Sequence, residues 1–172
     1  MSARGIDIPD VDWIIQYDPP QWSDSFVHRI GRTARAGRKG QSIIFLTESE
    51  QSYVSYLHAK KVEINEFKKH SSDEKENWKE IQEELQAAMK KDKDLVDKSQ
   101  DGFVSYIRYY KEHQLTFIFS FNLLDIGGVA NSFCLFKIPR VKEILGKQLS
   151  GFVQNNEVII DQIPYLDKNK GS

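Results

Sequence analysis

Two short apolar runs, residues 11–17 (VDWIIQY) and 41–47 (QSIIFLT), alternate with two stretches of helical spacing, residues 23–35 and 48–61. This alternation constrains the fold more than any other feature. Both runs are of strand length and rich in β-branched residues. Asp18-Pro19-Pro20 stops the first, because proline disfavours helix before it and cannot donate to a ladder. Ser23 or Asp24 is positioned to cap the helix that follows, and Gly37 and Gly40 bracket a turn before the second run. In residues 48–61, Tyr53, Tyr56 and Leu57 fall on one face, with Lys60-Lys61 at the negative helix end. Strand–helix–strand–helix at this spacing predicts an α/β unit with a parallel sheet. Two strands are too few for such a sheet, which needs neighbours and cover on both faces, so the sheet reads as incomplete.

Charge divides the rest of the chain. Residues 1–70 carry 10 basic and 9 acidic side chains, residues 71–100 carry 6 and 9, and residues 101–172 carry 8 and 7. The middle block is polar, with Trp78, Ile81, Leu85 and Ala88 at steps of three and four, which predicts one exposed amphipathic helix joining two units. Ser71, Ser72 and Asp73, with Glu74 and Glu76 behind them, read as its start. A solvated linker is the alternative. In the last block Phe103, Ile107 and Tyr110 recur at helical steps and predict a core-facing helix, flanked by Val104 and Tyr106. Residues 116–121 read as a loop-to-helix region. Residues 123–130 (LLDIGGVA) read as a short helix or turn with a glycine stop, and residues 141–149 have helical spacing. The last twenty residues are mostly polar and are expected to fray.

Composition excludes several classes. The 172 residues have a net charge of −1 and are 40 % hydrophobic, enough apolar side chain to bury a core and no polybasic tail. The single cysteine, Cys134, leaves no internal disulfide and no cysteine-based zinc site, and its apolar setting predicts a buried, inert thiol. No stretch approaches the roughly 20 apolar residues of a membrane helix, and the N-terminus lacks the apolar core of a signal peptide. The reading is a soluble intracellular protein without a membrane partner. His28, His58, His70 and His113 lack metal-ligand spacing, serine and histidine occur without a nucleophile elbow, and the acids of residues 73–84 read as a solvated helix face.

The densest chemical signal is HRIGRTARAGRKG, residues 28–40. Arg29, Arg32, Arg35 and Arg38 recur every three residues, which on a helix would set them along one flank. Spacing alone allows two readings, a solvated basic face or a surface for a polyanion. Arginine forks suit phosphate, and a transferring phosphoryl group is stabilised by arginine. A second signal, ARGIDIP at residues 3–9, is open to a plain reading as a loop before a strand. Arg4 there can contact phosphate, and Asp7 can accept from a ribose hydroxyl or pair with an arginine.

In order and at this separation, the two strings resemble motifs V and VI of the DEAD-box RNA helicases. The connecting text VDWIIQYDPPQWSDSFVHR and the following GQSIIFLTESEQSYV are similar to the same family, so residues 3 to about 66 are covered. The resemblance implies the C-terminal portion of a RecA-like helicase domain followed by a mainly helical extension. It implies ATP with Mg²⁺ and a partner RNA. Arg32 and Arg35 would be arginine fingers at the γ-phosphate, the catalytic pair. Gly5, Asp7, His28 and Arg29 would join them in binding ATP, and Arg4 and Gly5 would lie near RNA. The family more often has glycine where Ala34 stands here. No GxxxxGK[ST] phosphate loop and no Asp-Glu-Ala-Asp run occurs in the 172 residues, and little of motif V precedes Ala3. The chain is therefore expected to be a truncated product without the N-terminal helicase domain, with no ATP hydrolysis of its own.

The last third, FVSYIRYYKEHQLTFIF…FNLLDIGGVANSFCLFKIPRVKEI, resembles the extension of a branch of the family that acts in large ribosomal subunit maturation. Phe103, Tyr106, Arg108, Tyr110, Leu124, Asp125, Gly127, Ala130, Phe133, Lys137, Ile138 and Pro139 carry that likeness. It implies pre-rRNA as substrate and the nucleolus, in the nucleus, as location. Arg108, Lys111, Lys137, Arg140, Lys142 and Lys147 can form a positive surface for RNA phosphates or a solvated face. The expected organisation is residues 1–66 as the end of the second RecA-like domain, 67–100 a charged linker helix, 101–150 a helical extension and 151–172 a mostly flexible tail. Two other readings stand beside the helicase: a non-enzymatic RNA- or protein-binding module, and a fragment whose open sheet edge prevents stable folding.

Overall fold

The computed structural model describes residues 11–35, 37–67, 78–147 and 149–167. They divide into two compact units, residues 1–67 with 112–120 and residues 68–111 with 121–172.

The first unit is α/β. Strands β1 (Trp13–Gln16) and β2 (Gln41–Ile44) pair in parallel, Trp13 opposite Gln41 and Gln16 opposite Ile44. Helix α1 (Ser23–Ile30) crosses between them, and a 3₁₀ turn (Glu48–Glu50) leads into α2 (Ser52–Ala59). The strand–helix alternation is thus as the apolar runs dictate. The alternate residues Trp13 and Ile15 of β1 and Tyr17 just after it, with Phe45 after β2, are 48 to 74 % exposed. An apolar sheet face left this open matches the reading of an incomplete sheet.

Three local expectations are corrected. The helix expected over residues 23–35 ends at Ile30. Its N-cap is Trp22, whose side chain makes no capping bond, in place of Ser23 or Asp24. The helix expected from Glu48 begins at Ser52, because a capping box joins Thr47 and Glu50 in the turn before it.

The core of this unit is aromatic. Tyr53, fully buried, meets Phe26 of α1 at 6.3 Å between ring centroids, Tyr56 at 5.9 Å and Phe119 at 5.3 Å. Residues 112–120 supply Phe119, Ile118 and His113, all buried. The His113 ring lies 4.0 Å from that of Phe119, and its Nδ1 accepts from the Leu115 N–H at 3.1 Å. Burial pushes the His113 imidazole below its ordinary range, against the opposing pull of the Pro20 carbonyl, the Glu50 charge and the Pro19 carbonyl.

The second unit is helical: α3 (Trp78–Met89), α4 (Lys93–Lys111), α5 (Ile126–Ser132) and 3₁₀ turns at Lys142–Ile144 and Ile160–Gln162. The α3 helix lies where its stripe predicts, but Trp78, Ile81 and Leu85 are about half exposed and Met89 is the residue it buries. The cap expected at Ser71, Ser72 and Asp73 lies outside the described residues. The α4 helix runs through residue 100 without interruption, and its Phe103, Ile107 and Tyr110 are buried as their spacing requires. Phe103 and Ile107 form one cluster with Ile126, Ala130, Leu135, Val141 and Ile144. Val96 joins Met89, Cys134, Phe136 and Ile163 in another. Cys134 is buried, and burial pushes its thiol above the ordinary range, as an inert thiol requires.

Here the glycines and the tail depart from expectation. Gly127 and Gly128 open α5 where a stop was expected. Asp125 Oδ1 caps the helix by accepting from the Gly128 N–H at 2.9 Å, and a side chain at Gly127 would collide with the Ser150 carbonyl. Helical spacing over residues 141–149 yields only the turn at Lys142–Ile144, since Gly146 has φ +75°. The described part of the tail does not fray: Ile163 is buried, Pro164 O accepts from Lys93 N at 2.8 Å, and Tyr165 Oη donates to Asp97 Oδ2 at 2.7 Å. Among the described residues, no helix is long and apolar enough to cross a membrane.

Candidate functional site

The arginine string changes conformation at its first glycine. Arg29 stands in the last turn of α1, and the chain leaves the helix at Gly31. Two features end the helix. Thr33 turns its hydroxyl to the carbonyls of Val11 and Asp12, just before β1, the second at 3.2 Å. Ala34 then takes φ +56°, a left-handed conformation that no helix continues through. This is the position where the resembling family more often has glycine, and the backbone explains that preference. Arg29, Arg32, Arg35 and Arg38 therefore do not line one helix flank. One sits on the helix and three on a tight loop.

The loop is pinned at both ends. Arg29 Nη1 donates to Asp18 O at 3.2 Å and to Gln16 Oε1 at 3.4 Å, tying the end of α1 to the end of β1. Gly40 packs against Thr33 so closely that any side chain would collide with its hydroxyl, and Gln41 N then donates to Asp12 O at 2.9 Å to start β2. Within the loop, Arg35 Nε donates to Gly31 O at 3.0 Å, and Arg38 N donates to Arg35 O at 3.1 Å.

Arg32 lies between these anchors and is half-buried. Its Nε is buried and has no hydrogen-bond partner among the described residues. A buried guanidinium N–H without an acceptor is costly, and an anion would supply one. The structure thus brings Arg29, Arg32 and Arg35 into one short segment, with His28 exposed on the last turn of α1. Arg4, Gly5 and Asp7 lie outside the described residues.

Sequence reasoning passed over Thr33 and Gln16. Gln16 was legible as a polar side chain closing an apolar strand, and it is 2 % exposed. Thr33 stands between Arg32 and Arg35, and no local signal sets it apart. No group of three histidine, cysteine, aspartate or glutamate residues able to hold a metal occurs among the described residues.

Comparison with known proteins finds two families along this chain. Residues 1–37 match the helicase conserved C-terminal domain, and residues 92–141 match the C-terminal extension of the SPB4-like ATP-dependent rRNA helicases. The chain is 42 % identical to "Probable ATP-dependent RNA helicase ddx55" of Dictyostelium discoideum, over 99 % of this chain and 25 % of that protein. It is 37 % identical to the ATP-dependent rRNA helicase SPB4 of Mycosarcoma maydis, over 99 % of this chain and 24 % of that protein. It is 38 % identical to the DEAD-box ATP-dependent RNA helicase 18 of Arabidopsis thaliana, over 98 % and 28 %. The chain spans about a quarter of the length of these relatives.

Proposed function

From a chain homologous over nearly all its length to the DEAD-box RNA helicases, we propose the C-terminal part of an ATP-dependent RNA helicase acting on pre-rRNA in large ribosomal subunit maturation, in the nucleolus. The observation that carries this reading is the pinned arginine loop. Thr33, Gly40 and the Arg29 tether hold a loop whose Arg32 has a buried N–H without an acceptor. The donor set is cationic and forked, so it fits a phosphate.

In the complete helicase, Arg32 and Arg35 would present guanidinium donors where negative charge develops on the γ-phosphoryl oxygens of ATP. Arg29, already bonded to Gln16 and Asp18, acts as the hinge pin of α1 and keeps the loop in register. His28 joins it at the nucleotide side. Arg4, Gly5 and Asp7 enter by resemblance alone: Arg4 and Gly5 are assigned to RNA binding, Gly5 and Asp7 to ATP binding. Mg²⁺ ligands and the phosphate cradle would come from helicase sequence other than these 172 residues, which contain no phosphate loop. These residues alone do not hydrolyse ATP.

The test is ATP-driven separation of a short RNA duplex by the complete helicase. Arg32→Ala abolishes unwinding, and Arg32→Lys, which keeps the charge and loses the fork, does not restore it. Unwinding at the unmodified rate by Arg32→Ala overturns the assignment. A non-enzymatic binding module is the second reading, favoured by one observation: the helical unit has hydrophobic clusters of its own.

A further inference from the structure

In the helical unit, two lysines from different elements converge on one ring. Lys111, in the last turn of α4, places Nζ 5.8 Å from the centroid of Phe121. Lys147 places Nζ 4.8 Å from the same centroid and donates to Asn122 Oδ1 at 3.0 Å. Phe121 is partly buried and packs against the cluster of Phe103 and Ile107. Lys147 is held by the turn at Gly146, whose φ is +75°.

One lysine over an aromatic ring needs no ligand to explain it, because the π face attracts the cation and the stem covers apolar surface. Two lysines gathered at one ring concentrate positive charge there. Among the described residues neither forms an ion pair with a carboxylate. An anion beside this ring would meet both charges. Exposed Leu123, next to Asn122, and exposed Leu145, two residues before Lys147, add apolar surface beside the charges. Cation and apolar contact side by side suit a nucleotide, with its phosphate and its base face, better than a solvated acidic peptide.

We propose that Lys111, Lys147 and the Phe121–Asn122 turn form a phosphate clamp for single-stranded RNA on the helical unit, separate from the arginine loop. The proposal rests on the reading that the substrate is RNA and adds a second place where it is held. Each lysine takes part in one backbone phosphate contact, and binding needs no nucleotide.

The test is the salt dependence of oligouridylate binding by the full 172-residue chain without ATP, read by fluorescence anisotropy. Replacing both lysines (Lys111→Gln with Lys147→Gln) weakens binding and lowers the slope of log affinity against log salt by about 1.4, two single-strand phosphate contacts. Arginine at both positions restores the slope, which a merely structural role would not require. An unchanged slope overturns the clamp, whether or not affinity falls. Lysine-dependent binding of polyglutamate without binding of oligouridylate overturns it in favour of an acidic protein partner. Absence of oligouridylate binding by the unmodified chain overturns it too, and leaves the unwinding test of Arg32 untouched.

Discussion

Gly40 lies against Thr33 at the base of the arginine loop. A methyl group at Gly40 would run into the Thr33 hydroxyl, sit 2.8 Å from its Cγ2 and come within 2.6 Å of the Ala34 nitrogen. Thr33 is itself bonded to the Val11 and Asp12 carbonyls, so it has little room to move aside.

Gly40→Ala therefore pushes Thr33 off its acceptors and releases the loop. The cost is about 1–3 kcal/mol, the usual range for overpacking a tight site. The denaturant midpoint of the chain should fall accordingly. In the complete helicase, RNA-stimulated ATP turnover should fall as well, although no arginine has changed. A midpoint equal to the unmodified chain contradicts the packing described.

Phe119→Ala tests whether residues 112–120 are structural to the first unit. Phe119 is 1 % exposed and faces both Tyr53 and His113. Truncating a buried phenylalanine costs about 3–5 kcal/mol. Amide exchange in α2 should accelerate with it, because Tyr53 loses a ring partner. Slow exchange at residues 53–57 in the variant would show that this segment is not part of that core.

His113 makes the same segment sensitive to acid. Burial holds its folded-state affinity for protons below the ordinary value of about 6.5, and Nδ1 already accepts the Leu115 N–H. The unfolded chain therefore binds the proton more readily. The stabilising contribution is complete above about pH 6.5 and is lost as pH falls through the lower, folded value. The difference in denaturant midpoint between the unmodified chain and His113→Gln should shrink steadily from about pH 7 to about pH 5. A difference constant across that range contradicts the shift.

The sequence made the order of elements plain because the signals are local. β-branched runs closed by Pro19-Pro20, and Phe103, Ile107 and Tyr110 at helical steps, each contain their own cause. The arginine string was misread as geometry. Its step of three matches a helix flank, but Thr33 finds its acceptors at Val11 and Asp12, more than twenty residues away, and a periodicity argument does not see them. The Gly127–Gly128 pair misled in the same way. These glycines stand where the Ser150 backbone and the Asp125 carboxylate come close, a tertiary reason that reads in sequence as a helix stop. The membership of residues 112–120 in the first unit had no local signal at all. It rests on the contacts of His113 and Phe119 with residues far earlier in the chain.

We propose that Arg32 completes an ATP site in the intact helicase. The most direct measurement is RNA-stimulated steady-state ATP turnover by Arg32→Ala at saturating ATP and RNA, with the thermal midpoint taken on the same preparation. The expected result is a fall of about 10³-fold or more in kcat, the scale of a lost arginine finger, with the midpoint nearly unchanged. A kcat within a few-fold of the unmodified enzyme, in a protein that is still folded, would contradict it.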